Sequence, residues 1–168
     1  GAYNTRRFER YFGHLLESDL PEYTVDGPFP FVRLVGEEAA VVGLMSARVP
    51  PIPGFSFGVI GLKQLGALRD IVHDSRLAHR AILVTVHHAP IAPSGRKDRF
   101  LHGLMDADLL FHHLRGPRFA VLHGHIHKRY HHPANDKRPH TFGAGSSTEG
   151  GHEGYWVIDV REDRKSVV

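Results

Sequence analysis

Residues 81–90 read "AILVTVHHAP". The first six are apolar or β-branched without a break, as expected of a central strand buried on both faces. Two histidines stand where that strand ends. A second run, "RFAVL" at 118–122, leads straight into "HGHIH" at 123–127. Between the two, "LMDADLLFHHLRG" reads as a helix stopped by Gly116, with Pro117 behind it. Strand, helix and strand in that order point to an α/β sheet.

The upstream chain extends the pattern. Phe8, Tyr11, Phe12, Leu15 and Leu16 recur at helical spacing, which predicts an amphipathic helix over 5–18. "SDLPEYTVDGPFP" is a loop by composition. "FVRLV" and "AAVVGLM", split by "GEE", predict a hairpin. The Pro- and Gly-rich "RVPPIPGFSFGVIG" should be irregular. Leu65, Leu68, Ile71 and Val72 predict a helix from Leu62 to about Arg76. Downstream, "KRYHH" and the polar "PANDKRP" lead to two further predicted strands, "HTFGAGSST" and "GYWVIDV", and the tail "REDRKSVV" should fray. The expectation is one domain over 1–168: a layered α/β fold with a mixed sheet flanked by helices.

Composition narrows the function classes. No run of about 18 apolar residues is present, so no membrane-spanning helix is expected. The chain has no cysteine, which removes disulfides and thiolate metal sites. The net charge of +3 is spread over scattered lysines and arginines. That helps an anionic substrate without making a nucleic-acid footprint. The chain opens "GAYNTRRFERYF", with neither methionine nor a signal-like segment, so a processed chain or a fragment is expected; the cytoplasm is the default location.

Fifteen histidines are the unusual count. Ligands in open α/β sheets bind beyond the carboxyl ends of the strands, and there both clusters lie. Residues two apart in extended backbone share a side, so His125 and His127 are expected to face one site. Gly124 is expected to let the backbone turn or an ion approach. Neutral imidazoles suit zinc, iron, manganese or nickel. Any one of these histidines alone is more simply a strand-end residue bonded to backbone; two clusters at two strand ends favour a metal.

"LVTVHHAP" followed by "VLHGHIHKRY" resembles the C-terminal half of the calcineurin-like metallophosphoesterases, in which a strand ending in His-x-Pro or His-His-x-Pro precedes one ending in Gly-His-x-His. "GLKQLGALRDIV" and "FGAGSST…GYWVIDV" are similar to flanking elements of bacterial members. The resemblance implies a phosphoesterase fold and hydrolysis of phosphate esters by hydroxide held between two divalent metals (Mn, Fe or Zn). It implies His87, His125 and His127 as metal ligands. His88 would be second to the ligands or face substrate, and His123, just before the motif, would be structural or near the site. The substrate would be a small phosphate ester.

The family's Asp-x-His, Gly-Asp-x-x-Asp and Gly-Asn-His-Asp motifs do not occur in the sequence. "AYNTRRFERYF" resembles the family's segment immediately after the last of these motifs, so the chain reads as cut just downstream of it. The family's catalytic histidine lies in that motif and has no counterpart here. The expectation is weak or partial metal binding and little activity for the chain alone, with a non-catalytic histidine-rich metal-binding module as the alternative.

Arg96, Lys97 and Arg99 on "PSGRKDRF" are candidates for substrate phosphate, as an alternative to a solvated loop. His102 follows at lower odds. Of His112 and His113, one is expected to pack and the other to face solvent. His131, His132, His140 and His152 are expected near solvent, and Trp156 in the core or on a strand surface.

Overall fold

Strands β1 (Phe31–Val35), β2 (Ala39–Gly43), β3 (Ala81–Val86), β4 (Phe119–His123), β5 (Tyr130–His132) and β6 (His140–Gly143) form one sheet in the order β1-β2-β3-β4-β6-β5. The computed structural model describes residues 10–47, 56–97, 102–146, 148–151, 153–161 and 166–167. β2, β3, β4 and β6 run parallel, while β1 and β5 are antiparallel edges. The mixed α/β sheet flanked by helices is therefore present.

Helices α1 (Leu62–Val72) and α2 (Ala107–His113) connect the parallel strands. Their apolar stripes, Leu65, Leu68, Ile71 and Val72 on α1 and Ala107 and Leu110 on α2, pack with Val32, Val42, Ile82, Val84 and Val121 of the sheet in one buried cluster. Fully burying a side chain of this size stabilises the fold by about 1.5–3 kcal/mol. On the opposite face Ala81, Ala120 and Phe142 are buried, with Leu83, Leu122, Ile158 and Val160 half-covered around them.

α1 stops at Val72, short of Arg76. Asp74 takes an extended backbone, and its carboxylate accepts the Arg76 N–H at 2.8 Å, which starts a separate 3-10 turn over Ser75–Leu77. The N-terminus of α1 has no side-chain cap of its own. Asp106, from just before α2, accepts the N–H groups of Ile60 at 3.2 Å and Gly61 at 2.8 Å, placing a negative charge at that helix end. Asp106→Ala is expected to cost about 1–3 kcal/mol, read as a lower urea midpoint at unchanged slope.

Several expectations need correction. Of the predicted 5–18 helix, the described part is a helical turn at 10–12 and a 3-10 segment, Gly13–Leu16; Tyr11, Phe12 and Leu15 are exposed, and Phe8 lies outside the described residues. "YHH" forms β5, a strand the sequence reading lacks. "GYWVIDV" is not a sheet strand. Its Trp156 indole N–H donates to the Gly143 carbonyl at 2.9 Å, and the ring meets Phe142 edge-on, so the segment lies across the sheet. Only Val160–Arg161 (β7) pairs, and it does so with Ser166–Val167 (β8) in the tail expected to fray. Most of the Pro-rich stretch lies outside the described residues; 56–61 is irregular apart from one bridge, at Gly58. Among the described residues, no helix is long and apolar enough to cross a membrane.

Candidate functional site

His87 and His88 follow directly on β3, and His123 closes β4. Beyond the ladder, the Gly124 N–H donates to the His87 carbonyl at 3.2 Å, so the two strand ends stay joined as they leave the sheet. Ile126 N–H then returns to the Gly124 carbonyl at 2.8 Å, a tight turn centred on His125, whose ring meets His87 at the end of β3.

The backbone here is not extended. His125 has φ 66° and His127 φ 56°, both left-handed and rare for residues with a β-carbon. Such conformations cost about 1 kcal/mol or more and persist where surrounding structure holds them. Gly124 is not what makes the turn possible: a β-carbon there would lie 4.0 Å from its nearest neighbours, an ordinary contact. With the backbone left-handed at both positions, the shared-side argument for His125 and His127 does not apply.

His87, His88 and His125 come together. His87 Nε2 and His125 Nδ1 are 3.1 Å apart, and the three ring centroids are separated by 4.6, 4.8 and 4.9 Å. One nitrogen from each ring lies within 4.8 Å of the others, so this group can hold a metal ion. His127 stands apart, its Nδ1 paired with Glu149 Oε2 at 2.8 Å in an exposed contact.

Neutral imidazole is the ligand form, and the surroundings favour it. Burial lowers the His88 pKa to about 4, helped by the neighbouring His125 and His87. Burial and then the His127 charge lower that of His87; burial, then His87, His102 and His127, lower that of His125. His123 is buried against Tyr130 and is also pushed down to about 4 by burial. Its Nδ1 meets the Gly124 carbonyl at 3.2 Å, and its Nε2 has no partner among the described residues. The ring therefore sits beside the group, outside the convergence.

Ser46, Ser56 and Gly58 belong to the surroundings and were not legible in the sequence. Ser46, three residues past β2, bonds His88 Nδ1 at 2.9 Å, and Ser56 Oγ lies 3.4 Å from His125 Nε2. Gln64, buried on α1, fixes the chain beside Ser46 by accepting the Met45 N–H and donating to the Met45 carbonyl. The only sequence signal for Ser46 is that β2 neighbours β3, and that is a tertiary fact.

The candidate phosphate-binding loop divides. Arg96 is exposed in a turn closed by Ala92 N–H to the Arg96 carbonyl at 2.8 Å. Lys97 pairs with Asp108 of α2. Arg99 and His152 lie outside the described residues. The loop is tied to β5, because Tyr130 donates to the Ile91 carbonyl at 2.6 Å and His132 Nε2 reaches the Ala92 carbonyl at 3.0 Å. His102 lies 6.1 Å from His125, ring to ring, and lines with it a cleft of about 410 Å³ bounded by Ala92, Pro93, Ile126 and Lys128. His113 is half-buried and His112 exposed on α2. His131 and His140 share a 3.0 Å hydrogen bond, and both rings stack against Phe142 far from the group.

The donor set is thus three imidazoles, one buried and two accessible, at the carboxyl ends of the parallel strands β3 and β4. No family model matches the chain, and no curated protein is found to be similar to it.

Proposed function

We propose that the chain is the imidazole-bearing part of a metal-dependent phosphoesterase of the calcineurin-like type, acting on small phosphate esters. The observation that carries this reading is the 3.1 Å approach of His87 and His125, which arrive from two parallel strand ends 38 residues apart. In the family pattern these two positions are ligands, and the order of motifs along the sequence agrees; the family's third imidazole position, His127, stands outside the group here.

A bound divalent ion would supply Lewis acidity toward a phosphoryl oxygen. The residues do the rest: His87 and His125 offer ring nitrogens, the Gly124-to-His87 bond holds their strands together, and Lys128 and His102 border the adjoining cleft where an anionic ester fits. Carboxylates, which balance the charge of two cations, are not among the grouped donors.

Loaded with Mn²⁺, the chain is expected to bind inorganic phosphate, and EDTA should abolish that binding. Hydrolysis of bis(p-nitrophenyl) phosphate should not rise above that of Mn²⁺ alone. Failure to bind phosphate when the metal is bound would overturn the reading. Turnover at ordinary enzyme rates would show that the grouped imidazoles suffice without carboxylates.

The all-imidazole donor set favours a second reading, a non-catalytic metal-binding module. Metal binding with no phosphate binding is the result that selects it.

A further inference from the structure

We infer that this chain binds a single divalent ion through His87, His88 and His125, with His127 outside the shell. The inference rests only on the metal-binding half of the reading above, and departs from it in ligand set and in the number of ions.

The geometry of the rings is the first argument. A tetrahedral ion with nitrogen ligands at about 2.0–2.1 Å holds those nitrogens about 3.3 Å apart. His87 Nε2 and His125 Nδ1 already stand at 3.1 Å. The third ring closes the triangle, its centroid 4.8 Å from His87 and 4.6 Å from His125. One nitrogen of each ring lies within 4.8 Å of the others, so the exposed His87 and half-buried His125 rings have to turn inward to complete the shell.

The second argument is how His88 is held. It is 5% exposed, and Ser46 is 1% exposed. Ser46 Oγ accepts the His88 backbone N–H at 3.3 Å and meets the ring Nδ1 at 2.9 Å, so one hydroxyl sets both the backbone and the ring. With Nδ1–H donating to Ser46, Nε2 is the nitrogen left for an ion. A metal-bound histidine is oriented by a hydrogen bond from its other ring N–H to an oxygen, and here the Ser46 hydroxyl offers that oxygen. Gly58 leaves the space the ring fills: a β-carbon there would stand 2.2 Å from His88 Nδ1. His127 is paired with Glu149 through Nδ1 at the surface, and its ring is not among the nitrogens that converge with His87, His88 and His125.

Three protein nitrogens leave a fourth position for water or a small anion, as in mononuclear zinc sites. Ser46 acts through His88 and is a positioning residue.

Co²⁺ absorption and Zn²⁺ calorimetry on the full chain test the assignment. One ion per chain and a tetrahedral Co²⁺ spectrum are expected. His88→Ala should abolish the tetrahedral bands. Ser46→Ala should weaken binding by about 10–100-fold, with Ser46→Thr restoring it because the hydroxyl returns. His127→Ala and Glu149→Gln should leave stoichiometry, affinity and spectrum unchanged. Should His88→Ala fail to fold, nitrogen NMR of the unmutated chain gives the same answer: Zn²⁺ should shift one ring nitrogen each of His87, His88 and His125, and none of His127. Binding that survives loss of His88 but not of His127, or two ions per chain, overturns this assignment and leaves the phosphoesterase reading standing. A chain that binds no ion overturns both.

Discussion

Lowering the pH from 7 to 5 in the presence of EDTA is expected to destabilise the chain by about 4 kcal/mol, through His88 and His123. Both rings are held neutral, with pKa values pushed down to about 4 against 6.5 for the free side chain. Between those two values the unfolded chain takes up a proton that the folded chain refuses. Their contribution to stability is therefore complete above about pH 6.5 and is lost as the pH falls toward 4. At pH 5 the difference is about 2 kcal/mol for each ring. Neither is solvated enough to discount heavily, since His88 is 5% and His123 3% exposed.

Urea unfolding at a series of pH values measures this directly. His123→Leu should remove about 2 kcal/mol of the dependence. The substitution also gives up the Nδ1 contact with the Gly124 carbonyl, which lowers stability by a similar amount at every pH, while Nε2 has no partner among the described residues to lose. A midpoint that stays flat from pH 7 to 5 would show that both rings are open to protonation in the folded chain.

Ile82→Ala is expected to cost about 2–5 kcal/mol, whereas Leu62→Ala should stay within about 0.5 kcal/mol. Both positions are apolar, and both belong to segments the sequence assigns to regular structure. Ile82 is 0% exposed near the start of β3 and packs in the cluster shared by both helices, so its truncation leaves a cavity the close-packed neighbours cannot fill. Leu62 begins α1 at 77% exposure and gives up almost no contact. Urea midpoints at constant slope distinguish the two; equal losses would mean that the helix face had been assigned wrongly.

The same contrast explains which elements could be read in advance. β3 and α1 announce themselves by local patterns, a continuous apolar run and a 3.6-residue stripe, because each buries its side chains in the way its own backbone period requires. β5 does not: "YHH" has no apolar alternation, and its strand exists because antiparallel β6 supplies the pairing. "GYWVIDV" errs the other way. Its β-prone residues find no strand partner at 154–159; the Trp156 bond to Gly143 and the cover Ile158 gives Phe142 use them differently.

By itself, the sequence determined that two apolar strands end in histidine, since strand character follows from local residue choice, and the helix between them made a parallel pair with both ends at one rim the expected arrangement. Only the tertiary structure decided which rings meet. Left-handed backbone at His125 and His127 breaks the two-residue alternation, and Ser46 and Gly58, 42 and 30 positions away from His88, hold its ring beside His87 and His125. Side-chain direction at a turn depends on dihedral angles and contacts imposed from other strands, and no spacing rule along the chain carries that information.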